Sequence, residues 1–89
     1  MHQHETHPDI IKRLKRAAGH LTSVIGMLES GRTCLDIAQQ LQAVEKAVVN
    51  AKKTLIHDHL DHCLDHAVKA DGEVSPDVIR EFKEITKYL

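Results

Sequence analysis

Aromatic side chains are nearly missing from this chain: 89 residues hold one Phe, one Tyr and no Trp. With 42% of residues hydrophobic, the core has to be built from Leu, Ile, Val and Ala. That composition favours helices, and the expected fold class is all-α. Long apolar runs are also lacking. None reaches the roughly 18 residues a membrane-spanning helix requires, so no membrane partner is expected. The N-terminal stretch MHQHETHPD has no apolar signal-peptide core, which leads to an expected cytoplasmic location. In that compartment two cysteines read as thiols, ligands or redox groups rather than a structural disulfide. A formal net charge of -1 argues against a protein that coats nucleic acid by charge alone. No nucleophile elbow or phosphate loop points to an enzyme, and no helix-turn-helix, zinc-finger or ribbon-helix signature appears.

Eight histidines are present, four of them in HDHLDHCLDH, residues 57–66. Their setting follows from the apolar rhythm. Residues 1–8 are polar, His-rich and aperiodic, and read as a flexible arm ending at Pro8, with the helical domain over 9–89. Ile10, Leu14, Ala17, Leu21, Val24 and Leu28 then recur at alternating spacings of four and three, a helix stopped by Ser30-Gly31. A second helix should start after Thr33 as N-cap, with Asp36 at the position a capping box fills with Glu or Gln. Its seam is Ile37, Leu41, Val44, Val48, Ala51 and Leu55, and no Gly or Pro interrupts before Gly72. The helix should reach Lys69, a length of roughly 50 Å. A third helix, capped by Ser75 with Pro76 first, should carry Val78, Phe82, Ile85 and Leu89 on one face. A chain this small buries too little surface alone, so a second subunit is expected.

At about 100° per residue, His59, His62, Cys63 and His66 share a roughly 100° arc of the long helix, with His57 on the far side. His59 and Cys63 stand one turn apart, a spacing at which an imidazole and a thiolate hold one ion. His59, His62 and His66 also continue the seam beyond Leu55, placing polar groups where apolar ones belong unless a metal, water or another subunit meets them. An exposed His-rich helix end is the plainer alternative. Cys34 lies twenty-five positions before His59, roughly 37 Å along one helix, so the two cannot share an ion within a subunit. If the helix pairs antiparallel with a copy of itself, Cys34 of one chain approaches His59 and Cys63 of the other, and twofold symmetry makes two such sites. Otherwise Cys34 is a small apolar residue at a helix start. Two thiolates and one imidazole suit Cu(I), Zn(II) or low-spin Ni(II), and further nitrogen donors such as His2, His4 and His7 of the arm favour Ni(II) or Cu(II). The arm is equally readable as unstructured, with incidental metal affinity. Between Asp9 and Arg32 stand five basic and two acidic residues. Lys12, Arg13, Lys15 and Arg16 form a cluster on the first helix that is either a solvated face or a nucleic-acid contact.

The segments RLKRAAGHL, MLESGRTCLDIAQQLQAV and HLDHC resemble the copper-sensitive operon repressor family (CsoR/RcnR), whose members also include formaldehyde and persulfide sensors. The resemblance covers about Ile10 to Leu89. It implies a three-helix protomer with a long central helix, an antiparallel four-helix-bundle dimer and a disc-like homotetramer that represses transcription until metal binds between subunits. Cys34, His59 and Cys63 match the copper-type triad, and His2 matches the additional ligand of nickel and cobalt branches. The set His2, Cys34, His59, Cys63 is similar to a nickel-sensor variant, with Co(II) and Cu(I) as alternatives and His4, His7 and His62 as possible further ligands. The chain departs from the copper type at Thr33, where a Tyr often stands, and from the formaldehyde branch at His2, where Pro is characteristic. Arg13 and Arg16 match DNA-contacting positions, and Lys12 and Lys15 extend them. The basic position on the second helix is Asn50 here, with Lys52 and Lys53 nearby. The expected function is a repressor that releases operator DNA on binding Ni(II) or Co(II) and so switches on metal efflux or resistance genes. A Cu(I) sensor, a thiol or persulfide sensor and a helical metal-storage protein are the alternatives.

Overall fold

A computed structural model describes residues 6–69 and 76–89, with only the backbone of Cys63 and of 66–69. Three α-helices follow in order, α1 (His7–Glu29), α2 (Cys34–Lys69) and α3 (Pro76–Thr86). None among the described residues is long and apolar enough to cross a membrane. The chain divides into two compact units, Met1–Lys52 and Lys53–Leu89. That division falls inside α2, at no Gly or Pro that would mark it in the sequence.

α1 begins at His7, so the helix takes in the last two residues of the stretch expected to be arm. Pro8 sits in its first turn, where the missing N–H leaves no intrahelical bond unmade. The helix stops in a Schellman motif: Arg32 N–H donates to Met27 O at 3.0 Å and Gly31 N–H to Leu28 O at 3.3 Å. Gly31 takes φ 77°, the left-handed conformation that closes both bonds and that a Cβ disfavours. Two residues later α2 starts as its sequence implies. Thr33 Oγ1 accepts from the backbone N–H of Asp36 at 3.2 Å, satisfying one of the open donors of the first turn. The carboxylate of Asp36 lies 3.8 Å from Arg32 Nε and on this side of the box makes an ion pair.

In the first unit α1 and the start of α2 form an antiparallel hairpin. Val24, Ile37 and Val44 make its core, with Met27 packed against them. Nearer the start of α1, His20 Nε2 donates to Gln40 Oε1 at 2.6 Å. The two seams split in a regular way. Ile10, Ala17 and Val24 of α1 and Ile37, Val44 and Ala51 of α2, each set at intervals of seven, are buried. The alternate members Leu14, Leu21, Leu28, Leu41, Val48 and Leu55 remain 40–59% exposed. A spacing of seven keeps one stripe on a fixed side of a helix, so each helix has one apolar edge inside the hairpin and a second beside it facing outward.

The second unit holds the end of α2 and α3. Ile56 is buried, and Val78 and Ile85 of α3 are half-buried. α3 ends at Thr86, which corrects the expectation that Leu89 shares its face: Leu89 lies beyond the helix and is 59% exposed. Ser75, the expected cap, is outside the described residues.

Replacing Gly31 with Ala should cost about 1 kcal/mol, because the turn requires positive φ. Urea unfolding of the two proteins measures it, and an unchanged midpoint would mean the Schellman geometry is not needed.

Candidate metal and nucleic-acid sites

Cys34 is the first residue of α2, set there by the Thr33 cap, and its free thiol is exposed. His59 lies on the same helix but in the second unit, its side chain 24% exposed and its Nε2 3.5 Å from Glu81 Oε1 on α3. A carboxylate beside one ring nitrogen is a usual arrangement behind metal-bound histidine. Cys63 stands one turn after His59 in α2, with its side chain outside the described residues, and the same holds for His66. His62 is half-buried. His57 lies with Asp61 and Phe82 around a small pocket of about 420 Å³. His7 opens α1 and is half-buried, while His2 and His4 lie outside the described residues.

Among the described residues, no group of three or more His, Cys, Asp or Glu side chains within this one chain is placed to hold a metal ion. Glu81 escaped the sequence reading. It sits on a separate helix beside Phe82, and nothing in the local pattern marks it as the partner of a residue twenty-two positions earlier.

The basic cluster has a definite geometry. Lys12, Arg13 and Arg16 line a groove of about 620 Å³ between α1 and α2, facing Ala47 and Asn50, with His20 at one end. Arg13 Nε is 2.9 Å from Asp9 Oδ2, so Asp9 offsets one of the three cations. Lys15 is exposed and does not line the groove. The α2 contribution is thus an amide, where the family resemblance led one to look for a cation. His20 also went unnoticed in the sequence, where it reads as one more His outside the dense run. It stands one turn after Arg16 on α1, and the pairing of α1 with α2 brings it to Gln40.

Residues 6–88 match the family model described as metal-sensitive transcriptional repressor. The chain belongs to that family. It is 39% identical over 80 residues to the copper-sensing transcriptional repressor CsoR of Bacillus subtilis (strain 168), a match covering 88% of this chain and 79% of that one. It is 43% identical over 58 residues to the CsoR of Mycobacterium ulcerans (strain Agy99), across 65% of this chain, and the match spans only half the length of that relative. Among solved structures, the nickel-responsive transcriptional regulator InrS superposes with a TM-score of 0.83 at 28% identity, covering 100% of this chain and 99% of that one. The family therefore includes proteins named for copper and for nickel, and the expected all-helical, three-helix protomer agrees with the fold of the latter. Two surfaces of this chain call for explanation: the thiol and imidazole donors of α2, and the cationic groove beside α1.

Proposed function

We propose that this chain is a metal-responsive repressor that holds operator DNA when metal-free and lets go when Ni(II) is bound between two subunits by His2, Cys34, His59 and Cys63. The observation that carries this reading is the approach of Glu81 Oε1 to His59 Nε2, combined with an exposed Cys34 thiol that no donor cluster among the described residues engages. Nitrogen and thiolate donors fit Ni(II) and Cu(I) alike. The full-length likeness to a nickel-responsive regulator supports nickel. The relatives named as copper sensors support Cu(I) at Cys34, His59 and Cys63 as the second reading. Co(II) stands as a further possibility for the nickel-type set, with His4, His7 and His62 as additional donors.

The half-exposed stripes supply the assembly. Leu14, Leu21, Leu41 and Val48 present an apolar edge along the hairpin, and a second copy packed antiparallel on it buries that edge. The same pairing carries Cys34 of one subunit toward His59 and Cys63 of another. Two such dimers would complete the homotetramer. Operator DNA would be held by Lys12, Arg13 and Arg16, with Lys15 adding charge beside them. His2 and His7 lie on the same side of the sequence as this cluster, so a chain that draws its N-terminus onto Cys34 and His59 also moves α1 and the groove. Metal then favours the arrangement with lower DNA affinity, and linkage lowers DNA affinity by the same factor. The site of action is the cytoplasm, and the controlled genes are those for metal efflux or resistance.

Three outcomes are expected. In a gel shift with DNA from upstream of its own gene, the metal-free protein binds in a salt-sensitive way and Ni(II) releases it, whereas His59→Ala binds but is not released. Failure of the native protein to bind any such DNA would end the repressor reading. Absorption spectroscopy separates the two metals, since a Ni(II)-thiolate site shows visible charge-transfer bands and Cu(I) shows none. Glu81→Gln should weaken metal affinity by about 10- to 100-fold through loss of the carboxylate behind His59. A competition titration against a chromogenic chelator measures that, with unchanged affinity counting against Glu81. Finally, Leu41→Glu should leave the helices formed yet shift sedimentation toward monomer, because a charge would sit in the buried edge. An unchanged oligomer would place the contact elsewhere.

A further inference from the structure

Two opposite charges interrupt the apolar outer edge of α2. From Cys34 onward, in steps of four and three, that edge takes in Leu41, Glu45, Val48, Lys52, Leu55 and His59. Leu41, Val48 and Leu55 are 40–45% exposed, and Glu45 and Lys52 are exposed between them. Elsewhere surface charges pair three or four residues apart, as Asp9 with Arg13, Arg32 with Asp36 and Asp77 with Arg80. Glu45 and Lys52 have only Leu, Ile, Val or Gln at those distances on either side, and neither makes an ion pair among the described residues. Seven positions separate the two, about 10 Å of helix, too far for them to meet each other.

A twofold axis supplies the missing partner. Cys34 and Cys63 lie equally far along α2 from the peptide joining Val48 to Val49, and so do Glu45 and Lys52. An antiparallel pairing that sets Cys34 of one copy against Cys63 of another therefore sets Glu45 of each copy against Lys52 of its partner, twice. Centring Cys34 between His59 and Cys63 offsets Glu45 from Lys52 by two residues, about 3 Å, which a lysine stem spans. Other arrangements bring like charges together. Parallel copies in register place Glu45 beside Glu45 and Lys52 beside Lys52, and an antiparallel pair slipped by one heptad opposes Glu45 to Glu45 or Lys52 to Lys52.

We propose that Glu45 and Lys52 form reciprocal ion pairs with a second copy of this chain and fix the register of the antiparallel α2 pairing. The inference rests on the reading in which that pairing brings Cys34 to His59 and Cys63, and adds what selects it. The apolar edge attracts a copy without choosing a register, because Leu41, Val48 and Leu55 recur every seven residues and fit equally well after a slip of one heptad. Charges flanking such a seam do choose, since the wrong alignments are repulsive. A one-heptad slip would carry Cys34 about 10 Å away from its donors, so the metal site requires the register that these charges favour.

The test follows self-association of the full metal-free chain at low salt by sedimentation equilibrium. Glu45→Lys and Lys52→Glu each turn two attractions into two repulsions and should weaken association by about tenfold. The double variant E45K/K52E restores opposite charges and should associate like the native chain. The decisive arm mixes the two single variants: every facing pair in the mixed species is of opposite charge, so the mixture should associate tightly although neither component does. That recovery also shows that both variants fold. Ni(II) affinity, from competition with a chelator, should follow the same order. Single variants that associate like the native chain, a double variant as weak as the singles, or a mixture that stays apart would overturn the inference, and continued dissociation by Leu41→Glu would then leave the antiparallel pairing itself intact. A native chain that sediments as a monomer would overturn that pairing, and the register with it.

Discussion

Each of the two seams of this hairpin satisfies only half of its own hydrophobic demand. Ile10, Ala17, Val24, Ile37, Val44 and Ala51 are buried where α1 and α2 meet, and the intervening leucines and Val48 are left at the edge. Small side chains such as Ala17 and Ala51 let the two helices approach closely but contribute little apolar area each. The resulting core, centred on Val24, Ile37 and Val44, is slim. A hairpin with so slim a core leaves an apolar outer edge, and the proposed pairing with a second copy, through which the donors of two chains would meet, depends on that edge.

The two candidate surfaces are both built on helix ends and helix pairs rather than on loops. Cys34 begins a capped helix, and His59 has a carboxylate of α3 beside its ring. The groove takes its cations from successive turns of α1 and its far wall from α2. Sites on helices are held by the packing of the helices, so any change in how α1 lies on α2 alters the spacing between Arg16 and Asn50. This gives a physical route for a ligand at one place to change affinity at another: an effector that favours one helix arrangement acts on the groove without touching it. His20 is tied to Gln40 across the helix pair, so the two helices are joined by a side-chain hydrogen bond next to the groove.

Much of this was legible in the residues alone. The alternation of three and four places the helices, Ser30-Gly31 ends the first, Thr33 caps the second, and the long uninterrupted stretch to Lys69 follows from the lack of Gly or Pro. These are local effects, carried by backbone conformation and side chains within one turn. The spacing from Cys34 to His59 likewise argues from helical rise alone that one chain does not complete a metal site. What the sequence left open depends on which helix faces overlap. Every second seam residue looks identical in a pattern of spacings, yet only packing decides that Val24 is buried and Leu21 is not. Glu81 and His20 carry no local mark because their partners, His59 and Gln40, lie twenty or more positions away. The reach of α3 was overestimated for a related reason: Leu89 fits the apolar period, but after Thr86 the chain tightens into turns in which Lys87, Tyr88 and Leu89 N–H donate three residues back to Glu84, Ile85 and Thr86 O. Sequence thus determined the helices and the types of donor available, whereas the tertiary structure decided which side chains meet across them, since contact between distant residues is a property of packing and not of spacing along the chain.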